Sequence, residues 1–275
     1  MNNFFTRALF GAVYVGLILG SLSLGAVSFG FLCMLILILA LDEYFKLVKR
    51  LKISPPDILI IVCAGLSFIL VFMNKSIDLN VKYLFIIPLC FLLFMIKELV
   101  KNTKNPLSNV AFGVFGMVYI FSPMTSLFYM GFYDNYSWVD TFQPELLFCF
   151  FVLIWANDTG AYLAGSLFGK RKLFERISPK KTVEGSVGGI VLALVVAYGA
   201  SLYAQQISFL DWLVIALIVV VFGSLGDLFE SLLKRKVDVK DSGSLIPGHG
   251  GILDRFDSIL FAAPVVFTYL ALIAN

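Results

Sequence analysis

Three carboxylates stand in or beside apolar segments in the C-terminal part of the chain. Asp227 lies late in an apolar run, in "FGSLGDLFESLLKRK", and Asp254 and Asp257 lie at the start of the last apolar run. Residues three apart share a helical face, so Asp254 and Asp257 are expected on the same side of a helix. Carboxylates inside membrane-like segments are costly and usually functional. If the two runs are neighbours, these carboxylates meet at one membrane boundary and repel one another unless a cation joins them.

Oxygen ligands alone suit Mg²⁺, which keeps several waters and prefers substrate phosphates as partners. The sequence therefore predicts a magnesium site at Asp227, Asp254 and Asp257. Simpler roles are open as well: a polar stripe can merely hold helices together, and Asp254 can cap its helix while Arg255 reaches lipid headgroups. Spacings of three and four residues put further polar residues on the face of Asp227, namely Ser224, Glu230, Ser231 and Lys234.

Two other segments place polar and basic residues next to apolar runs. In "WANDTGAYLAGSLFGKRK", an Asn-Asp pair interrupts an apolar span. In "ISPKKTVEGSVGG", paired lysines precede a new helix, and Glu184 is predicted to cap that helix as in a capping box. A helix–helix hydrogen bond for the Asn-Asp pair and a membrane anchor for the lysines are the alternatives. The predicted substrate-binding residues of these segments are Asn157, Asp158, Ser178, Lys180, Lys181, Thr182 and Glu184.

The segment "LKRKVDVKDSGSLIPGHGG" joins the last two apolar runs. Its glycines, at positions 243, 248, 250 and 251, let backbone N–H groups approach a phosphate closely. No P-loop and no dinucleotide fingerprint is present. His249, the one histidine of the chain, is either a general base or a group that hydrogen-bonds a phosphate and holds the loop. The residues of this segment and its flanks that are assigned to the site are Ser231, Lys234, Arg235, Lys240, Asp241, His249, Gly250, Gly251 and Arg255.

The elements that must position these residues are membrane helices. Of the 275 residues, 60% are hydrophobic and only 14% are charged, with a mean hydropathy of +0.93. This composition excludes a soluble domain and predicts an all-α polytopic membrane protein. The uncharged stretch 8–41 is too long for one span, so we divide it at "SLSLGAVSFG". About nine spans result, at 8–25, 26–45, 58–74, 83–96, 107–131, 146–168, 185–204, 209–232 and 255–273.

The basic residues predict the orientation of these spans. With nine spans, all of the 21 lysines and arginines except Lys75 and Lys82 fall on one side, which is therefore cytoplasmic. The N-terminus is expected in the cytoplasm and the C-terminus outside, so that the polar segments described above face the cytoplasm. The four cysteines lie in apolar runs and are predicted to be buried hydrophobes. We expect one membrane domain, with N-terminal helices over 1–145 and catalytic helices and cytoplasmic loops over 146–275.

The stretch "SLLKRKVDVKDSGSLIPGHGGILDRFD" resembles the signature of the phosphatidate cytidylyltransferases, also called CDP-diglyceride synthases. "NDTGAYLAGSLFGKRKL" and "SPKKTVEG" are similar to further segments of that family, the second with Val183 where many relatives carry tryptophan. The resemblance is strong over about residues 150–260, whereas the N-terminal half agrees only in hydropathy.

The resemblance implies that CTP and phosphatidic acid condense to CDP-diacylglycerol and pyrophosphate. It also implies dependence on Mg²⁺, with a second, monovalent cation such as K⁺ near the same aspartates. Asp227 and Asp254 are the metal ligands by this analogy, and a homodimer is implied in the same way. The partners are then CTP, phosphatidic acid and the bilayer, with no nucleic acid.

The chemistry of that reaction changes the expected role of His249. A phosphate monoester has a second pKa of about 6, so the nucleophile is mostly a dianion at neutral pH and needs no general base. His249 is therefore expected to hold phosphate or the loop. Three alternatives fit the sequence less well. A CTP-dependent polyprenol kinase needs a general base to activate its alcohol substrate, and a cation-coupled transporter needs acidic residues in mid-span and two matched halves. A scaffold protein would leave the glycine–histidine loop unexplained.

Overall fold

The computed structural model describes residues 3–76, 79–101, 103–245 and 250–274 and is built from helices. In the described part of the chain, the strands form two short antiparallel ribbons of two strands each. The helices are α1 Asn3–Ser23, α2 Ala26–Arg50, α3 Asp57–Ser76, α4 Ile87–Lys101, α5 Pro106–Gly116, α6 Ser122–Met130, α7 Pro144–Phe168, α8 Val183–Tyr203, α9 Phe209–Lys236 and α10 Leu253–Ile273. The strands are β1 Tyr133–Asp134, β2 Ser137–Trp138, β3 Lys172–Phe174 and β4 Ser178–Thr182.

The predicted membrane spans are confirmed as helices. Within the described residues, eight helices are long and apolar enough to cross a membrane, and Leu9–Ser23 forms a shorter apolar helix before them. The break predicted inside the first long apolar stretch is also confirmed, because α1 ends at Ser23 and α2 begins at Ala26. Gly25 lies between them and has a φ of 97°, a backbone conformation that residues other than glycine rarely adopt. The chain is thus an all-α, multi-pass integral membrane protein.

Some local structure differs from a simple row of helices. The fourth span begins as a 3₁₀-helix, Val81–Ile86, before α4, and the fifth contains one π-helical turn, Met117–Phe121, between α5 and α6. The predicted cytoplasmic loop after α7 folds into a hairpin, in which Lys172 pairs with Thr182 and Phe174 pairs with Ser178. The four cysteines are buried and free, as predicted.

By its internal contacts the chain forms two compact units. One contains the residues up to Phe128 together with Lys236–Arg255, and the other contains Tyr129–Arg235 together with the residues from Phe256 onward. These bounds differ from a division at residue 145, because the segment before α10 packs with N-terminal helices rather than with the helices next to it in sequence. The description of the whole chain as one membrane domain stays a prediction.

The first unit is held together by α2, which packs along α3 and contacts α5. Tyr44 on α2 is fully buried and its hydroxyl donates to the carbonyl oxygen of Phe112 at 2.9 Å. On α4, Glu98 is also buried, and its carboxylate accepts hydrogen bonds from Thr103 and from Asn109 on α5. Buried polar groups in an apolar helix bundle must be paired in this way, because lipid offers no hydrogen-bond partner.

In the second unit, α7 and α8 approach one another through glycine. A Cβ at Gly160 would lie 2.5 Å from the carbonyl oxygen of Gly188, and a Cβ at Gly185 would lie 2.8 Å from the carbonyl oxygen of Ala161. Small residues are the usual device for close packing of membrane helices, since the hydrophobic effect does not drive their association in lipid. This contact fixes the positions of the polar residues on α7 relative to β4 and α8.

An acidic group at the start of α9 joins three elements of the second unit. The Asp211 carboxylate accepts hydrogen bonds from the hydroxyl groups of Tyr136, Ser208 and Tyr269, at 2.6 to 2.7 Å. Tyr136 precedes β2, and Tyr269 lies near the end of α10. One carboxylate therefore fastens the first ribbon and the ends of two long helices, which sets how α9 and α10 run past each other.

The α7–α8 packing predicts a specific effect of Gly188→Ala. The added Cβ would overlap Ala164 and approach the carbonyl oxygen of Gly160 at 2.7 Å. Overpacking of this kind typically costs about 1–3 kcal/mol, which outweighs the gain of about 1 kcal/mol in helix propensity. We expect a lower thermal transition in detergent, measured by the loss of monodisperse protein on heating.

Gly199→Ala is the matched control for that experiment. Gly199 lies on the same helix, and no atom lies within 4 Å of the position that its Cβ would take. Its transition should be unchanged or higher than that of the wild type. Equal transitions for Gly188→Ala and Gly199→Ala would show that the close approach does not limit stability.

Candidate active site

Most of the residues predicted from the two upstream segments line one pocket in the second unit. The cavity has a volume of about 350 Å³. Four elements that are apart in sequence form its walls, namely α7, β4 with the start of α8, α9 and α10. Its lining residues are Asn157, Asp158, Ala161, Tyr162, Ser178, Lys180, Lys181, Thr182, Gly185, Ser186, Gly223, Ser224, Asp227 and Ser258.

The electrostatic centre of this pocket is an ion pair between β4 and α9. Lys181 Nζ lies 2.8 Å from Asp227 Oδ2 and donates to the carbonyl oxygen of Ser224 at 3.3 Å. Ser231 donates to Asp227 Oδ1 at 3.3 Å. The side chains of Lys181 and Asp227 are 24% and 37% exposed, so solvent partly screens the pair. Both charges therefore remain accessible to a ligand that enters the pocket.

The Asn-Asp pair of α7 divides its roles between packing and the pocket. Asn157 is buried, at 5% exposure, and its side-chain oxygen lies 2.5 Å from the position that a Cβ at Gly189 would take. Asp158, the next residue, is exposed and lines the cavity. Asn157 is thus fixed where α8 passes α7, whereas Asp158 lies on the wall of the pocket.

The β3–β4 hairpin and the start of α8 are locked by two side chains. Thr182 is the N-cap of α8, and its hydroxyl oxygen accepts from the Gly185 N–H at 3.1 Å. The predicted capping role of Glu184 was wrong, because Thr182 caps the helix. Glu184 instead accepts from the backbone N–H groups of Lys170 and Arg171, at 3.0 to 3.3 Å. It therefore holds the entry of the hairpin against α8, and its predicted role in substrate binding stays a prediction.

A third carboxylate acts on the same region of the second unit. Asp257 on α10 lies directly beside α9, because a Cβ at Gly226, the residue before Asp227, would overlap the carbonyl oxygen of Asp257. Among the described residues, no group of three or more His, Cys, Asp or Glu side chains is arranged to hold a metal. Magnesium needs no such cage, since one or two carboxylates with substrate phosphates and water complete its shell. The oxygen-rich, acidic surroundings of Asp227 fit Mg²⁺ in that manner.

The basic end of α9 contains an ion pair with a buried carboxylate. Lys234 forms an ion pair with Glu230 one turn earlier, and the Glu230 side chain is fully buried. A positive charge paired in this way is partly neutralised before any phosphate binds. Arg235, the next residue, is exposed. The predicted role of Lys234 in the site stays a prediction.

The glycine loop and Asp254 belong to the first unit. Asp254 Oδ2 accepts from Gly251 N at 2.7 Å, from Ser242 N at 2.9 Å and from Ser242 Oγ at 3.0 Å. Gly250 has a φ of 86°, and a Cβ there would lie 2.5 Å from Asp254 Oδ2. Asp254 thus closes the turn that precedes α10. Its predicted meeting with Asp227, and its predicted metal ligation, stay predictions.

The remaining assigned residues lie at the surface of this segment or outside the described part. Lys240, Asp241 and Arg255 are exposed. Asp241 contributes to a cavity of about 580 Å³ in the first unit, beside the end of α2. His249, with Gly248, lies outside the described residues, and its predicted role stays a prediction.

The sequence analysis missed Glu43. This residue is buried on α2, and its carboxylate accepts hydrogen bonds from Ser242, Ile252 and Leu253. A signal for it was present, because "LALDEYF" places two acids within an apolar span. The N-terminal half resembles the family only in hydropathy, and Glu43 lies near the end of the predicted span 26–45, so no role was predicted for it.

Comparison with known proteins identifies relatives over almost the whole chain. The sequence profile of the Cytidylyltransferase family matches residues 5–273. The phosphatidate cytidylyltransferase of Staphylococcus haemolyticus is 34% identical over 265 residues, which cover 94% of this chain and 96% of that protein. The phosphatidate cytidylyltransferase of Bacillus subtilis is 55% identical over 135 residues, about half of each protein. That of Staphylococcus saprophyticus is 41% identical over 190 residues, 69% of this chain and 68% of that protein.

The cap at the start of α8 predicts different outcomes for two substitutions at Thr182. Thr182→Val keeps the shape of the side chain but removes the oxygen that accepts from Gly185 N, which costs about 1 kcal/mol of stability. Thr182→Ser keeps that oxygen and should retain stability. Thermal unfolding in detergent would measure both variants. A Thr182→Val protein as stable as Thr182→Ser would show that the cap is dispensable.

Proposed function

Since the chain belongs to the Cytidylyltransferase family, we propose that it is a phosphatidate cytidylyltransferase that makes CDP-diacylglycerol from CTP and phosphatidic acid. The observation that carries this proposal is the pocket in which Lys181, Asp227 and Asp158 meet between apolar helices. Its charges suit a polyanion and its walls suit a lipid. The names of the relatives favour this activity over a polyprenol kinase, a transporter or a scaffold.

The reaction is a displacement at the α-phosphorus of CTP. A phosphate oxygen of phosphatidic acid forms the new P–O bond, and the bond between the α-phosphorus and the bridging oxygen breaks to release pyrophosphate. The nucleophile is already mostly dianionic at neutral pH, so no side chain has to remove a proton. The protein must instead bring two polyanions together and hold them in line, which depends on positive charge and on positioning.

The residues of the pocket supply that charge and that positioning. Lys180 is exposed at the rim of the cavity, and Lys181 reaches its centre, so both ammonium groups can bind phosphate oxygens. Ser178 adds a hydroxyl group on the same wall, whereas the Ser186 hydroxyl donates to the carbonyl oxygen of Thr182 at 3.3 Å. Asn157 and Thr182 fix this wall from behind through their contacts with α8. The apolar faces of α7 and α8 offer a route for acyl chains.

Magnesium would bind at Asp227, whose carboxylate is accessible from the pocket, with Asp257 as a further ligand in the same unit. Asp254 is proposed as a ligand on the family resemblance alone. When bound, it would neutralise negative charge on the phosphates and the leaving group. Ser231 and Lys181 hold the Asp227 carboxylate in position. A monovalent cation such as K⁺ is proposed for the same acidic region. His249 has a phosphate-binding or loop-holding role in this scheme.

The site is proposed to face the cytoplasm of a bacterial plasma membrane. The basic residues near α2, α4, the β3–β4 hairpin and α9 support this orientation, with the N-terminus inside and the C-terminus outside. CTP then reaches the pocket from the cytoplasm, and phosphatidic acid reaches it from the bilayer. A homodimer is proposed on the family resemblance alone.

The activity is tested with the purified protein in mixed micelles. Labelled CTP, phosphatidic acid and Mg²⁺ are supplied, and transfer of CMP to the lipid is followed together with release of pyrophosphate. Lipid-linked product that disappears on chelation of the metal is the expected result. Correctly folded protein that forms no lipid-linked product would contradict the proposed function.

Asp227→Asn and Asp254→Asn are each expected to lower turnover by about 10³-fold or more. Each substitution removes a negative charge that, in the proposed site, positions Mg²⁺ and the phosphates. Initial rates in the same assay provide the measurement. Glu175→Gln, which removes an exposed charge on the β3–β4 turn, is the matched control and should retain wild-type rates. Variants of either aspartate that keep their rates would show that the residue is structural.

A further inference from the structure

Glu43 is an acidic side chain buried within an apolar helix, at 5% exposure. Its carboxylate accepts three hydrogen bonds from the segment that precedes and begins α10. Ile252 N donates to Oε1 at 3.0 Å, and Leu253 N and Ser242 Oγ donate to Oε2 at 3.0 Å each. A helix about 200 residues earlier in sequence thus supplies the acceptor for the start of α10.

These bonds match the needs of a helix N-terminus. The first N–H groups of a helix have no acceptor within the helix, and the helix dipole favours a negative charge beside them. Ile252 and Leu253 are at that position in α10, and the Glu43 carboxylate satisfies both. Such charge-assisted bonds are shorter and stronger than neutral ones. The direction in which α10 begins is therefore set by Glu43.

Ser242 connects Glu43 to Asp254. Its hydroxyl oxygen lies 3.0 Å from Glu43 Oε2 and 3.0 Å from Asp254 Oδ2, and its backbone N–H donates to Asp254 Oδ2 at 2.9 Å. One hydroxyl proton is shared by two carboxylates in this arrangement. The positions of the two carboxylates are coupled through Ser242, so that displacement of Glu43 moves the group that fixes Asp254.

Glycine makes this arrangement possible. A Cβ at Gly243 would lie 2.5 Å from Glu43 Oε1, and a Cβ at Gly251 would overlap Glu43 Oε2 and Ser242 Oγ. The backbone on both sides of the loop therefore packs directly against the Glu43 carboxylate. At Gly251 the constraint is space alone, since among the described glycines only Gly25 and Gly250 have positive φ values.

We propose that Glu43 is a positioning residue for the cytidylyltransferase reaction, acting through Ser242 and the Gly250–Asp254 turn to hold Asp254 in its working geometry. This inference rests on the proposed function, because it assigns Asp254 to the reaction. Glu43 itself is enclosed by the loop and contacts no substrate in this role. Its effect belongs to the rate of the chemical step rather than to binding of the lipid.

The test compares Glu43→Gln with Asp42→Asn. The amide introduced by Glu43→Gln places an N–H₂ group against a backbone N–H, so one of the three bonds must be lost. Loss of a partner that orients a reacting group typically costs about 10- to 100-fold in activity. We expect kcat to fall within that range, with the KM for phosphatidic acid changed less than about twofold. Asp42, the residue before Glu43 on the same helix, pairs with Lys46, is partly exposed and serves as the matched control.

Hydrogen exchange gives a readout that does not depend on activity. In the wild type, the amides of Gly251, Ile252 and Leu253 all donate to carboxylates and should exchange slowly. Glu43→Gln should speed exchange of a peptide covering 250–255, while Asp42→Asn leaves it unchanged. Ser242→Ala keeps both carboxylates. It should lower kcat and speed exchange, each to a smaller degree than Glu43→Gln does. If Glu43→Gln does not fold, Ser242→Ala is the variant that tests the proposed role of Glu43.

Two results would overturn the proposal. One is a folded Glu43→Gln protein whose kcat stays within about threefold of the wild type, and the other is a loss of rate with unchanged exchange over 250–255. If Glu43→Gln does not fold, the proposal is overturned by a Ser242→Ala protein whose kcat and hydrogen exchange are unchanged. Wild-type protein without any turnover contradicts the proposed function instead, and the exchange data still report on Glu43.

Discussion

The Asp227 carboxylate lies in a largely apolar helix, and its charge is stabilised there because the Lys181 ammonium group lies 2.8 Å away. The two residues come from α9 and β4, so the pair also ties these elements together. The pair is partly exposed to solvent, and an ion pair of this kind can exchange partners at modest cost in free energy. In the proposed function, phosphate oxygens take the place of Asp227 beside Lys181, and a divalent cation takes the place of Lys181 beside Asp227.

The rest of the second unit serves to keep those charges at that distance. Glycines on α7 and α8 bring the two backbones together, and this contact sets the place of Asn157 and of the N-cap Thr182. Glu184 fastens the hairpin on which Lys181 is carried. At the far end of α9, hydroxyl groups converge on Asp211. Each of these contacts is small, but together they connect the elements that form the walls of the pocket.

Much of this arrangement could be predicted from the sequence, because its signals are local. An uncharged run reports a membrane helix, and Asp227, Asp158 and Lys181 were recognisable as polar residues where lipid disfavours them. The family match confirmed the predicted family, and the structure confirmed the predicted membrane helices. The pairing of Lys181 with Asp227 was not foreseen, since periodicity describes one helix at a time and does not say which strand faces it.

Other features depended on contacts between distant parts of the chain. Glu43 stands about 200 residues before the loop that it holds, and no spacing rule connects them. Lys234 pairs with the buried Glu230 one turn away, a contact that was not predicted. Both contacts have the same physical cause: a buried charge takes the nearest complementary group, and the fold decides which group that is.

An experimental structure with Mg²⁺ and a non-hydrolysable CTP analogue tests this account most directly. The account predicts triphosphate oxygens beside Lys181 and the metal beside the Asp227 carboxylate, with the ion pair of the two residues separated. A nucleotide bound elsewhere, with Lys181 still paired to Asp227, would contradict it.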